Sequence, residues 1–230
     1  MRVSTRVARI LGATAVFALA CAAPTPVGAL DASQERLASI LERYNAAIDL
    51  ATQSVDSLRV VQHMVEPQPD GGERSARAVL VYERSRGMTR RVITSNLSYP
   101  AGDYTLASLV GPGLDPSEYR IVLEAEEDVE GVPCYRLGVT ALSRDVSHID
   151  GTVWVSRESP GPVRVVGLVA DPPFPLAEIR LDKRFGPGPL GFAVLRCHAG
   201  EVRAGIVLGR KKGARTITYA GYVVNGVAEE

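Results

Sequence analysis

Residues 131–185 constrain the chain most, because apolar side chains there recur at every second position. Tyr135, Leu137, Val139 and Ala141 alternate with Arg136, Gly138 and Thr140, and Ile179 and Leu181 alternate with Arg180, Asp182 and Arg184. A period of two puts the apolar set on one face of a sheet. Between these runs, 152–157 and 163–169 read as two more strands, joined by Glu158-Ser159-Pro160-Gly161-Pro162, a turn by its proline and glycine content. The stretch therefore predicts consecutive antiparallel strands. It also holds the only tryptophan, Trp154, which such a sheet can use in its core or against a ligand.

Residues 1–29 read as an export leader rather than as fold. Arg2, Arg6 and Arg9 precede an apolar run over 10–23 that is too short for a membrane anchor, and Val27-Gly28-Ala29 supplies the small residues of a cleavage site. The mature chain then starts at Leu30, and 30–230 make one domain. Cys21 offers a second reading, a lipidated first residue, although Ala18 stands where that pattern wants leucine. Losing three arginines leaves 23 basic against 26 acidic side chains, a net −3. That balance argues against nucleic acid or an anionic membrane surface as partner. Cys134 and Cys197 are the thiols left after cleavage, and in an oxidising compartment they are either a disulfide or two buried free cysteines.

Residues 31–52 form the one long helix. Leu37, Ile40, Leu41, Tyr44, Ile48 and Ala51 recur at steps of three and four, with Asp31 or Ser33 as cap. Such a stripe needs a sheet to lie on. Strands follow from Val55, with turns at 66–72 and 85–87 and strands over 76–84 and 88–94. Segment 95–117 is broken by Pro100, Gly102, Pro112, Gly113 and Pro116. Its apolar centre, 104–110, fits a short helix starting at Asp103, either a lid over a binding site or a plug in the core. A strand over 119–125 leads to an acidic tip at 126–131, and strands over 190–198, 201–208 and 216–224 follow the central stretch. The expected class is mainly β (α+β), about ten to eleven antiparallel strands with one main helix.

Motifs of enzymes are missing: there is no GxSxG, HExxH, GxxxxGK[ST] or CxxC. Ser147-His148-Ile149-Asp150 holds the residue types of a triad, but a triad is a matter of geometry across a fold, and neighbours in sequence read as a polar loop. His63, His148 and His198 have no ligand spacing, and the acids at 126–130 have no calcium-loop spacing, so no metal or other cofactor is expected. What remains is architectural. A large sheet with an apolar face and one long helix has more apolar surface than that helix covers, so either a second sheet closes over it or the face curls round an apolar ligand.

At this point the chain resembles the periplasmic outer-membrane lipoprotein-carrier and lipoprotein-sorting family, LolA/LolB-like. The resemblance rests on the order of leader, amphipathic helix, two hairpins, irregular segment and antiparallel sheet. Its most specific words are Val132-Pro133-Cys134-Tyr135-Arg136-Leu137, Gly151-Thr152-Val153-Trp154-Val155-Ser156-Arg157-Glu158, and Thr218-Tyr219-Ala220-Gly221-Tyr222. It implies a curved half-barrel with a short helical lid, whose concave apolar face takes up acyl chains. It further implies a non-enzymatic, monomeric periplasmic protein that binds lipid or acylated lipoprotein, received from an inner-membrane donor and passed to an outer-membrane acceptor. Strand phase gives the expected lining as Leu37, Leu41, Val79, Val81, Leu106, Leu109, Val153, Val155, Ile179 and Leu181. Val81-Tyr82-Glu83-Arg84-Ser85-Arg86-Gly87-Met88 is similar to a carrier segment in which an arginine holds the lid shut through backbone carbonyls; Arg84 matches it, while Ser85 replaces a proline and Met88 a phenylalanine. Read by itself, Arg84 is a solvated hairpin residue. The alternative function is an envelope-stress sensor or protein-interaction module of the same fold.

Overall fold

The computed structural model describes residues 32–97, 105–174, 176–204 and 212–229. The expected leader, its cleavage site, Cys21, Asp31 and Asp103 lie outside the described residues. Helix α1, Ala32–Ser54, buries Ile40, Leu41, Tyr44, Ile48 and Ala51, the stripe that its three- and four-residue steps demand. Strands β1 (Ser57–Pro67), β2 (Glu73–Glu83) and β3 (Gly87–Ser95) follow, then the short helix α2 (Leu106–Val110). Thr105 caps α2 by accepting from the Ser108 amide. A run of hairpins completes the chain: β4 (Tyr119–Val129), β5 (Val132–Ala141), β6 (Ile149–Ser156), β7 (Pro162–Val169), β8 (Leu176–Pro187), β9 (Ala193–Ala204) and β10 (Lys212–Val224), with the two-residue β11 (Val227–Ala228).

All these strands join one antiparallel sheet in the order β3-β2-β1-β10-β9-β8-β7-β6-β5-β4, with β11 beside β10. The edges β3 and β4 do not pair with each other, so the sheet is an open half-barrel of 11 strands. Its inner face and the two helices share one core, in which Leu58, Val60 and Met64 of β1, Leu80 of β2, Leu137 and Val139 of β5, Val153 and Val155 of β6, and Tyr219 and Tyr222 of β10 meet Tyr44, Ile48, Leu106 and Leu109. Tyr219 and Tyr222 both face inward three residues apart because Gly221, at φ 65, sits where the β1 pairing slips between Arg59 and Val61. A side chain there would be strained.

One expectation is corrected and one open alternative is resolved. The strands expected at 190–198 and 201–208 are one continuous β9 through Ala204, with 205–208 outside the described residues. Ala199 pairs with Thr216 and Asp182, and Gly200 with Arg215 and Leu181, so ladder bonds on both sides hold extended the residues that resembled a turn. Cys134 and Cys197 are both free thiols. They stand on β5 and β9 with three strands between them, roughly 19 Å along the sheet, whereas a disulfide needs Cα atoms within about 7 Å.

Burial pushes the Cys134 thiol up to about 11, so it reacts slowly in the native protein. Iodoacetamide in denaturant without reductant should add two groups to the 30–230 chain. A mass showing none would restore the disulfide.

Candidate functional site

The ladder registers draw one line of inward-facing residues across the middle of the half-barrel. From β1 to β5 it runs Met64, Ile217, His198, Lys183, Val165, Val153, Leu137. Two basic side chains thus stand opposite each other in an otherwise apolar row. On one side of the line, Phe185, Leu195 and Tyr222 are buried, and the helices pack over this end. The Tyr44 hydroxyl donates to the Pro112 carbonyl at 2.7 Å, and Asn45 exchanges two bonds of 2.9 Å with the Leu114 backbone. On the other side Ile179, Leu181 and Val202 are only half-buried, an apolar shelf that neither α1 nor α2 covers completely.

The expected lining divides accordingly. Leu41, Leu106, Leu109, Val153 and Val155 are core residues, each under a tenth exposed, and Leu37 and Leu181 pack against that core from its margin. Ile179 lies beyond Leu181 on the shelf. Val79 and Val81 are corrected: they alternate with Ala76, Leu80 and Tyr82, which belong to the core, and so point to the convex face. The run Ala78-Val79-Leu80-Val81-Tyr82 is apolar throughout, and an unbroken run carries no phase. Of segment 95–117, the described part folds as α2 and buries Leu106, Leu109 and Val110.

Arg84 is no free surface arginine. Its guanidinium bonds Asp56 Oδ1 at 2.8 Å, the Val55 carbonyl at 3.1 Å and the Gln53 carbonyl. These are the last carbonyls of α1 and the turn after it, where a cation satisfies orphan acceptors and suits the helix dipole. Trp154 lies on the convex face, where it donates to Glu127 at 2.6 Å and the Arg164 guanidinium lies 5.6 Å from its ring. It therefore serves neither core nor inner face. The acidic tip is neutralised by arginines: Glu126 by Arg36 and Arg157, Glu127 by Arg136, Glu130 by Arg184. Among the described residues no group of three or more His, Cys, Asp or Glu is placed to hold a metal ion.

The Ser147-His148-Asp150 sequence makes a loop clasp. His148 is buried, with Nδ1 2.7 Å from Asp145 and Nε2 3.5 Å from Glu118. The Ser147 hydroxyl donates to Asp145 at 2.5 Å, and Asp150 accepts the Ala141 amide at 2.8 Å. His148 Nδ1 also lies 3.3 Å from the Ser147 hydroxyl, but that nitrogen faces Asp145 more closely, at 2.7 Å, so serine and histidine both turn to the same carboxylate. The bond to Asp145 raises the His148 pKa, and bonds from Ser147 and His148 hold Asp145 down at about 2.

Lys183 is not among the expected site residues and His198 has no ligand spacing, although a signal for Lys183 is present in the sequence. Counting by twos from Ile179 and Leu181 lands on Lys183, so a charged residue occupies an apolar phase. Burial makes the Lys183 ammonium easier to deprotonate. Burial and then Lys183 push His198 down to about 4, so its imidazole is neutral at pH 7. His198 Nε2 is buried without a hydrogen-bond partner.

Two measurements test these clasps. Arg84→Ala should lower unfolding free energy by about 1–2 kcal/mol in urea, the worth of charge-assisted bonds at a half-exposed site, and should speed amide exchange in the last turn of α1. An unchanged midpoint would make Arg84 ornamental. His148 gains a raised pKa on folding, so its charged contribution is complete below the unfolded value of about 6.5 and is lost as pH rises through the folded value. The stability gap between wild type and His148→Gln should therefore narrow from pH 5.5 to pH 8.5, and a constant gap would remove the ion pair from the account.

No protein-family model matches the chain, and no curated protein does. Solved structures do. A LolA superfamily protein from Nitrosomonas europaea has TM-score 0.47 and 13% identity over 82% of this chain and 93% of its own. A domain named for outer membrane lipoprotein sorting from Vibrio parahaemolyticus gives 0.43 and 9% over 83% and 95%, and a DUF1329 family protein from Desulfovibrio piger gives 0.41 and 15% over 80% and 93%. The chain is similar to these proteins in overall shape.

Proposed function

We propose that this chain is a non-enzymatic, exported binding protein that takes up an acyl chain, of a lipid or an acylated protein, on the concave face of its half-barrel. The observation that carries the reading is the shelf of Ile179, Leu181 and Val202, inward-facing apolar residues left half-open in a concavity whose other end is filled by helices. Covering them with hydrocarbon gains about 25 cal/mol per Å² of apolar surface removed from water. The convex face, in contrast, carries Arg136, Arg164 and Arg184 paired with Glu124, Asp182 and Glu130, a surface made for water. In this reading residues 1–29 are an export leader, and the protein works in the periplasm as a monomer that receives its ligand from an inner-membrane donor and yields it to an outer-membrane acceptor.

A second reading, an envelope sensor or protein-interaction module, has its own observation. Leu142, Val146 and Phe174 are 55%, 61% and 84% exposed on the β5–β6 and β7–β8 loops, which the Ala170 amide ties together by donating to the His148 carbonyl at 2.9 Å. Exposed apolar groups gathered on adjacent loops suit a protein partner.

Native mass spectrometry of the 30–230 chain, purified from a periplasm without detergent, should show bound lipid or acylated peptide. Leu181→Asp with Ile179→Asp should abolish the adduct in a still-folded protein, since both residues are half-buried. A bare mass with no uptake of added lipid would end the acyl-chain reading in favour of a protein partner.

A further inference from the structure

Lys183 and His198 are direct cross-strand partners on the inner face, with Leu181 and Ile179 following Lys183 at the same phase of β8, and Gly200 and Val202 following His198 on β9. Three features set this pair apart from the other charges of the sheet. Every neighbour in its row is apolar: Met64 and Ile217 lead to His198, and Val165, Val153 and Leu137 follow Lys183. Among the described residues no carboxylate is hydrogen-bonded to it, and Asp182 acts on His198 only through space. Asp182 and Arg184, the neighbours of Lys183 on β8, belong to the convex phase, where Asp182 is bonded by Arg164 at 2.7 Å and Arg184 bonds Glu130 at 2.7 Å; Glu66 is taken by Arg215 at 2.8 Å. And His198 Nε2 is buried with no hydrogen-bond partner.

With His198 neutral at pH 7 the pair costs energy in two ways: a lysine ammonium is buried among apolar neighbours, and a buried polar atom is left unbonded. A ligand bearing anionic oxygens removes both penalties, one oxygen accepting from the ammonium and another from the imidazole N–H. Charge count selects the class. The pair carries one positive charge when His198 is neutral, which a carboxylate cancels, whereas a phosphate dianion leaves a negative charge inside. Space agrees on β9: the inward position next to the pair there is Gly200, where a Cβ would meet His198 Nε2 at 3.6 Å and the Arg180 carbonyl at 3.7 Å, whereas at Gly167 on β7 a Cβ would meet the Asp150 carbonyl at 2.7 Å and the backbone closes that side.

We infer that Lys183 and His198 form a subsite for the carboxylate of a fatty-acid-type amphiphile, whose hydrocarbon tail runs from there along Leu181 and Ile179 toward the open end of the half-barrel. The inference rests on the acyl-chain reading above and adds a head-group preference and a polarity to it: head in the middle of the sheet, tail outward.

The test is displacement of the neutral fluorophore N-phenyl-1-naphthylamine from the 30–230 chain by three twelve-carbon probes, laurate, methyl laurate and dodecyl phosphate. Laurate should compete about tenfold more strongly than its ester. Lys183→Met, which keeps the length of the side chain and removes the charge, should abolish that preference while the ester competes as before. Lys183→Arg should retain it, and circular dichroism with a urea midpoint shows that each variant is folded. Equal competition by acid and ester, or a preference that survives Lys183→Met, overturns the subsite while leaving the acyl-chain reading standing. Dodecyl phosphate competing tenfold better than laurate overturns the carboxylate assignment. If no probe displaces the dye and none binds by calorimetry, the acyl-chain reading itself falls, and the subsite with it.

Discussion

Everything in this half-barrel hangs on β1, because it alone joins the N-terminal hairpins to the long meander. Its partner on one side is β2, the next strand in sequence; on the other it is β10, more than 150 residues later, where Gln62 donates to the Tyr219 hydroxyl at 3.3 Å with |i−j| of 157. Side chains from both neighbours fix the turn by which α1 enters β1. Asn225, at the end of β10, accepts from the Asp56 and Ser57 amides at 2.8 and 3.0 Å and donates to the Ser54 carbonyl at 2.7 Å. Arg84, at the end of β2, binds the carbonyls of Gln53 and Val55 from the opposite side. The helix is therefore clamped to the strand pair that unites the sheet. Asn225 adopts φ 50 to do this, a left-handed conformation that asparagine tolerates better than most residues.

That junction explains which parts of the fold were legible. Local periodicity needs only neighbours, so the α1 stripe and the alternation of Tyr135, Leu137, Val139 and Ala141 emerged from the sequence and all pack on one core. Pairing between β1 and β10 is non-local, and no pattern of two announces which strands lie side by side. For the same reason the sequence left the disulfide open: Cys134 and Cys197 are compatible in compartment and loop length, and only the strand order separates them. Val79 and Val81 failed for a different cause, an apolar run without polar residues to mark its phase. Lys183 is the reverse case. Its phase was readable, yet a lysine is read by habit as a solvent-facing residue.

The concave face is accordingly not one surface but two. Under α1 and α2 it behaves as an ordinary protein interior, with Tyr44, Tyr222 and Leu109 essentially unexposed and with Tyr44 and Tyr222 hydroxyls bonded to the Pro112 and Leu195 carbonyls. Burial raises the pKa of both phenols, which stay protonated as donors. Past the Lys183–His198 line the same strands continue with less over them. A binding protein needs this combination, since a face filled throughout has no room and a face open throughout has no core.

The two helices are held by unequal means, and that decides how the concavity can grow. Helix α1 is fixed at its C-terminal end by Arg84 and Asn225, in its middle by Tyr44 and Asn45, and near its start by Arg36, which pairs with Glu126 and lies 5.5 Å from the Tyr135 ring. Helix α2 has five residues; its cap bonds run between Thr105 and Ser108 within its own turn, and its tie to the rest is burial of Leu106, Leu109 and Val110. It ends at Gly111, φ 128, where a Cβ would meet the Pro162 ring at 2.7 Å and Ile48 at 3.1 Å. A helix this short has no stability of its own, and contacts made by burial alone are ones a hydrocarbon can replace at equal energy. Helix α2 is therefore the more easily displaced of the two, while α1 and the strand pair that it is clamped to stay where they are.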